Sequence, residues 1–310
     1  MVYKIQNGNF DEAQTTVKEL LNDPALRAEL ATHQLQFSSA NSINIGRLFP
    51  QVAYYVYTYA QLIKQGRIHN GDQVNFSVPT GNFGDILAGY YAKQLGTPIH
   101  KLICASNRNN VLTDFFNTGT YDKNREFFLT SSPSMDILVS SNLERLVFYL
   151  IGADPVATAQ LMTSLKTDGR YTLSATMRAN IKDFWAGFVT ENQDQDAIAH
   201  VYAAHHYTID PHTAVAAAVA KQYQAATKDN RPMVIVSTAS PYKFPKAVLS
   251  AITGQPATID GLAAVDQLHD LIKTPIPATV TQLRTAPVRH HQVTDPAAMG
   301  ATIKEILKLH

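Results

Sequence analysis

From residue 45 to 65 the apolar positions Leu48, Val52, Tyr55, Val56, Ala60 and Ile63 recur at three- and four-residue intervals. That spacing gathers them on one side of an amphipathic helix, Ile45 to Gln65. Gly66 and the Asn70-Gly71-Asp72 turn end it. The pattern then changes character. Val74-Asn75-Phe76-Ser77-Val78 reads as a strand and Pro79 to Gly84 as a loop. Asp85 to Leu95 reads as a helix with Ile86, Leu87, Tyr90, Tyr91 and Leu95 on one side. Gly96 stops that helix, Pro98 prevents its resumption, and Ile99 to Ala105 is a second strand. Strand, helix and strand in so short a stretch make a βαβ unit, which implies a parallel sheet with helices on its faces.

The flanks add elements of the same kind. Val2 to Ile5 is a short strand-like piece, and Phe10 to Leu21 has helical spacing, with Asn9 as its N-cap and Glu12 three residues on. The stretch 142–230 reads as mostly helical, with helices at Leu143 to Ile151, Val156 to Leu165, Ala175 to Val189 and Pro211 to Ala226. Met233 to Val236 is wholly apolar, as an interior parallel strand should be. A helix follows from Phe244 to Ile252. Beyond Gly254 the chain turns Pro-rich and closes with a helix ending at Ile306-Leu307. The expected organisation is a larger domain, 1–255, with a helical insertion at about 142–230, followed by an extension and closing helix, 256–310.

Composition narrows the class. The 310 residues are 45% apolar and 16% charged, with a net charge of +1. That excludes a disordered chain and gives no general excess for nucleic acid or anionic membrane. No apolar stretch approaches the ~18 residues of a membrane span. Nothing at the start resembles a signal peptide, so a cytoplasmic protein is expected. The one cysteine, Cys104, lies mid-strand as a buried small residue, and supplies neither an internal disulfide nor a Cys-rich zinc site. His200, His205, His206 and His212 lack metal-ligand spacing, and no metal is expected.

The sharpest chemical signal is Thr80-Gly81-Asn82-Phe83-Gly84, between a strand end and a helix start. Unpaired N–H groups there suit a phosphate, with Gly81 and Gly84 admitting close approach and Thr80 and Asn82 adding donors. An ordinary βα turn is the competing reading, since the loop matches neither a Walker A nor a G-x-G-x-x-G pattern. Ser237-Thr238-Ala239-Ser240-Pro241 follows a second strand, where its hydroxyls could face the same ligand. Taken alone, Ser240 reads as an N-cap ahead of Pro241. Asn41, Ser42 and Arg47 precede or open a helix. Arg47 reads either as an anion clamp or as a solvated charge. His212 sits at a helix start, with a capping role as open to it as a catalytic one.

Six pieces, in order, resemble threonine synthase: Asn7 to Gln14, Asn41 to Leu48, Ser77 to Asp85, Ser134 to Ile137, Ser141 to Arg145, and Ser237 to Phe244. The resemblance implies a pyridoxal-phosphate enzyme of the tryptophan-synthase-β fold type, fold type II, with the parallel sheet of its large domain present but incomplete. It implies a lyase of threonine biosynthesis that converts O-phosphohomoserine and water to threonine and phosphate. It places Thr80, Gly81, Asn82, Phe83 and Gly84 at the pyridoxal 5'-phosphate phosphate and Thr238 at the pyridine nitrogen. Asn41, Ser42 and Arg47 become substrate-binding candidates.

The family's Schiff-base lysine lies in a Phe-Lys-Asp context that this sequence lacks, so no catalytic residue is assigned. The chain is therefore expected to be a C-terminal portion, inactive alone. Its exposed apolar surface should be covered by self-association or by a missing N-terminal portion. The other readings are an amino-acid dehydratase of the same fold type and a non-catalytic anion- or cofactor-binding fragment.

Overall fold

The computed structural model describes residues 2–8 and 10–309, so the expected cap at Asn9 lies outside the described residues. The chain forms two compact units, one of residues 1–39 with 278–310, the other of residues 40–277. These bounds differ from the 1–255 and 256–310 expected. In the smaller unit Lys4–Ile5 pairs in parallel with Val293–Thr294. Leu26, Leu30 and Leu309 are buried there against Leu20 and Phe37.

The larger unit is built on a four-stranded parallel sheet. Its order is Phe184–Phe188, Ile99–Ser106, Val74–Pro79, Met233–Ile235. Side chains alternate across it, as a period of two requires. Val74, Phe76, Val78, Leu102 and Cys104 face a core shared with the helices Ile45–Lys64, Gly84–Gln94, Val111–Thr118 and Leu143–Leu150. Ile103 and Ala105 face the opposite layer, where the helix Pro211–Thr227 contributes Val215, Ala216, Val219 and Tyr223. Both faces are covered, so the two central strands are buried almost throughout, and their polar residues Asn75 and Ser77 are bonded to Asp229 and to Ala216 O. The expected α/β fold with a parallel sheet flanked by helices is the observed one.

Two expectations fail locally. Ala175 to Val189 is not one helix. A short helix, Ala175–Arg178, runs into a 3-10 turn, Ala179–Asp183, and then the strand Phe184–Phe188. That segment is rich in aromatic residues, which favour a strand, while Gly187 disfavours the helix, and it pairs from Leu102↔Phe184 to Ser106↔Phe188. The second failure is Met233–Ile235, which is an edge strand rather than an interior one, half-buried throughout. The helix from Ile45 turns Leu48, Tyr55 and Tyr59 inward and leaves Phe49, Tyr54, Val56 and Tyr57 exposed. No helix among the described residues is long and apolar enough to cross a membrane.

Candidate functional site

The strands Val74–Pro79 and Met233–Ile235 are neighbours in register, Ser77↔Ile235, and Val236 N–H donates to Ser77 O at 2.9 Å. Their carboxyl ends therefore open side by side. The loop 80–84 leaves one of them and the loop 237–240 the other. In an open parallel sheet this is the end where ligands bind.

The loop 80–84 is shaped by what leans on it. Phe83 holds the left-handed conformation, φ 63°, at the N-cap of Gly84–Gln94. Its ring is buried and stacked on Phe116, with centroids 5.9 Å apart. A side chain rarely tolerates that φ, so core packing must hold it. Gly81 and Gly84, by contrast, do not have positive φ. A Cβ on Gly81 would stand 2.6 Å from Ser134 O and 3.0 Å from Met135 Cα. A Cβ on Gly84 would stand 2.9 Å from Ser42 Oγ. The glycines are therefore required by the protein's own packing, whatever else they admit.

The segment 140–145 fixes the loop from the other side. Ser140 Oγ–H donates to Gly81 O at 2.7 Å, and Asn142 donates to Asn82 O through its backbone N–H at 3.0 Å and its amide at 2.7 Å. Arg145 forks onto Ser42 O and Ile43 O at 2.9 and 2.8 Å and also bonds Asn142 Oδ1. Asn142 Nδ2 reaches Ser42 Oγ at 2.9 Å. The carbonyls of this loop are thus turned into the protein. Among the described residues, nothing accepts from the backbone N–H groups of Gly81, Asn82, Phe83 or Gly84, and the helix has no side-chain cap. Such N–H groups carry the positive end of the helix dipole. Asp85 follows them, but its carboxylate is taken by Tyr55 OH at 3.0 Å. Burial pushes the Asp85 carboxyl above its ordinary value, while the tyrosine bond opposes that shift.

The candidate residues differ in what they offer. Asn82 Oδ1 accepts from Ser141 Oγ at 2.7 Å, which leaves its NH2 without a partner among the described residues. Thr80 is turned inward. Its N–H donates to Ala105 O at 2.8 Å and its hydroxyl to Val78 O at 2.7 Å, so neither donor is left for a ligand. Thr238 is exposed just beyond its strand, and Ser240 caps the 3-10 turn Pro241–Lys243 through Tyr242 N–H. Ser42 is brought against Gly84. Asn41 closes a turn by accepting from Ile43 N–H at 3.0 Å. Arg47 is exposed on its helix, and among the described residues its side chain makes no hydrogen bond to the loop.

The sequence reading missed a buried cluster beyond the strand Ile99–Ser106. Asp136 accepts from Asn107, Asn109 and Thr130, at 2.7 to 3.0 Å. This cluster shapes the segment that carries Ser134 over Gly81. Asp194 lies alongside, taking Ser131 Oγ–H at 2.6 Å. Burial pushes its carboxyl up to about 8, Glu191 and Asp210 add to the shift, and the Ser131 bond opposes it. No short-range motif marks Asn107 or Asn109, since apart from the bonds between the two their partners lie 19 to 29 residues away.

Residues 213–303 match the family model described as "Threonine synthase, C-terminal". The chain is 39% identical over 269 residues to threonine synthase of Schizosaccharomyces pombe, covering 80% of this chain and 51% of that protein. It is 42% identical over 247 residues to human threonine synthase-like 1, covering 79% and 33% respectively. The pyridoxal-phosphate-bound threonine synthase of Brucella melitensis superposes with TM-score 0.74 at 34% identity, over 98% of this chain and 59% of that one. The yeast threonine synthase gives TM-score 0.78 at 30% identity, over 99% and 60%. The resemblance drawn from the motifs is borne out along most of the chain, which spans about half the length of the curated threonine synthases it matches and a third of threonine synthase-like 1.

Proposed function

We propose that this chain supplies the phosphate cradle and part of the substrate wall of a pyridoxal-phosphate-dependent threonine synthase, acting on O-phosphohomoserine to give threonine and phosphate in the cytoplasm. One observation carries the reading. Four consecutive backbone N–H groups, Gly81 to Gly84, lie without acceptors among the described residues at a helix N-terminus with no side-chain cap, in a loop whose Gly81 and Asn82 carbonyls are tied down elsewhere. Such an array fits a phosphate without any lysine or arginine.

The chain's residues would divide the work as follows. The N–H groups of Gly81 to Gly84 hold the cofactor phosphate, and the free NH2 of Asn82, oriented by Ser141, adds a donor. Ser140 and Asn142 keep the loop carbonyls away from the anion. Thr238 presents its hydroxyl to the pyridine nitrogen, where a neutral partner need not protonate the ring. Ser42, positioned by Asn142 and Arg145, lines the substrate side. When bound, pyridoxal phosphate supplies the electron sink for carbanion chemistry, and the protein supplies binding, orientation and proton placement. Lys243 follows the Thr238 loop and stands 5.4 Å from the Phe244 ring. It lacks the sequence context of the family's cofactor lysine, so the chain alone is proposed to bind the cofactor without attaching it covalently.

The test is to incubate the purified chain with pyridoxal phosphate, follow binding by absorbance, reduce with borohydride, and map modified lysines by mass spectrometry. The expected result is reversible binding, competed by inorganic phosphate, with no single lysine labelled in full and no release of phosphate from O-phosphohomoserine. Stoichiometric labelling of one lysine, with turnover lost when it is replaced, would overturn the assignment of an inactive portion. Absence of phosphate-competed binding would overturn the cradle.

A further inference from the structure

A buried chain of hydrogen bonds joins the wall above Gly81 to the base of the Thr238 loop. Asp210, fully buried, caps the helix Pro211–Thr227 by accepting from His212 N–H at 2.9 Å. The same oxygen lies 3.0 Å from His212 Nδ1. On the far side of the ring, His212 Nε2 accepts from Ser134 N–H at 3.2 Å. A ring nitrogen that accepts a backbone N–H carries no proton, so the ring proton sits on Nδ1 and points at Asp210. The other Asp210 oxygen takes the Thr213 hydroxyl, which lies 3.1 Å from Ser237 Oγ. Phe244 packs on the imidazole with centroids 4.8 Å apart. Ser237 begins one of the two loops of the proposed site, and Ser134 O is the atom that a Cβ on Gly81 would meet first.

Ser134 itself is exposed. Without His212 its N–H would turn to water, and the wall over Gly81 would be held only by the turn bond from Met135 N–H to Ser132 O at 3.0 Å and by the buried Met135 side chain. We propose that His212 is a positioning residue: through Nε2 it holds the Ser134 peptide down on Gly81, and through Asp210 and Thr213 it ties that wall to Ser237, so that one buried chain sets both loops. The inference rests on the reading of Gly81 to Gly84 as a phosphate cradle, and it assigns to His212 neither a metal nor contact with the reacting atoms.

Two substitutions separate the nitrogens. In His212→Asn the amide can still donate to Asp210 but falls short of Ser134. In His212→Gln the amide oxygen reaches the place of Nε2. Amide hydrogen exchange on the full chain should show Ser134 exchanging about tenfold faster in His212→Asn and near its native rate in His212→Gln. Pyridoxal phosphate affinity should fall about three- to tenfold in the first and be largely restored in the second. A ring that served only to pack on Phe244 would give the same change in both. Equal Ser134 exchange in the two variants therefore overturns the proposal.

The exchange measurement needs no cofactor. Native protein that fails to bind pyridoxal phosphate while the exchange difference persists sinks the functional reading and leaves the positioning role standing. Should the asparagine variant not fold, nitrogen NMR of native His212 decides. A bare Nε2 and a protonated Nδ1 support the proposal, and a protonated Nε2 refutes it.

Discussion

Replacing Gly81 by alanine probes the packing of the candidate loop most directly. The added Cβ would lie 2.6 Å from Ser134 O and 3.0 Å from Met135 Cα, both backbone atoms. Neither can rotate away. Ser134 is held from behind by His212, and Met135 is buried. Overpacking of this kind costs about 1–3 kcal/mol, and the lack of a soft neighbour puts it in the upper half of that range. Gly81 does not have a positive φ, so alanine also restricts the unfolded chain and returns about 0.4–1 kcal/mol. The net expectation is a loss of about 1–2.5 kcal/mol, or roughly 2–10 °C in Tm for a unit of this size.

The assay is urea or thermal unfolding alongside Gly46→Ala. At Gly46 a Cβ meets only Asn44 Oδ1, at 3.2 Å, in the first turn of a helix. That substitution should be neutral or stabilising by up to about 1 kcal/mol. The same preparation of Gly81→Ala should show weaker pyridoxal phosphate binding and a shifted Ser134 amide resonance. If Gly81→Ala were as stable as the native chain and its Ser134 amide unmoved, the close packing of Ser134 on the loop would be refuted.

Asp194 should make stability fall as pH rises. Its folded carboxyl keeps a proton up to about 8, whereas the unfolded one loses it near 3.9, so the folded state binds more protons through that window. Asp194→Asn should flatten this dependence, being the more stable protein at pH 8 with the gap closing by pH 4. Equal pH slopes in denaturant titrations of the two would show that Asp194 ionises freely. Arg145→Lys removes the fork onto Ser42 O and Ile43 O. It should cost about 1–3 kcal/mol and speed amide exchange around residues 41–44, because an ammonium cannot reproduce a planar two-pronged contact. Native exchange rates there would argue that the fork is dispensable.

What could be read from the sequence was what is encoded locally. The βαβ unit from Val74 to Ser106 was legible because each element carries its own periodicity and its own stop signals. Phe184–Phe188 was not, because a short apolar segment takes its identity from its partner, and that partner is the strand containing Cys104. The cradle was legible as a motif but not as mechanics. Gly-Asn-Phe-Gly suggested glycines that free the backbone, whereas the left-handed residue is Phe83, and the glycines answer to Ser134 and Ser42. Thr80 looked like a donor because sequence cannot show that both its donors are already engaged. His212 was visible at a helix start, but its partner Ser134 lies 78 residues away.

The strand Met233–Ile235 ends the sheet with an unbranched row of backbone donors and acceptors that no strand among the described residues takes up. Its three side chains are all apolar, neither a lysine nor a bulge interrupts them, and Pro232 lies before the strand rather than within it. Edges of this kind recruit strands. The chain handled by itself thus carries a growth front, and the rate at which it is lost from solution should rise faster than linearly with concentration. Refolding yield then becomes a matter of dilution as much as of stability, and the strand has no place for a protective lysine, because Val234 packs into one core and Met233 and Ile235 into the other.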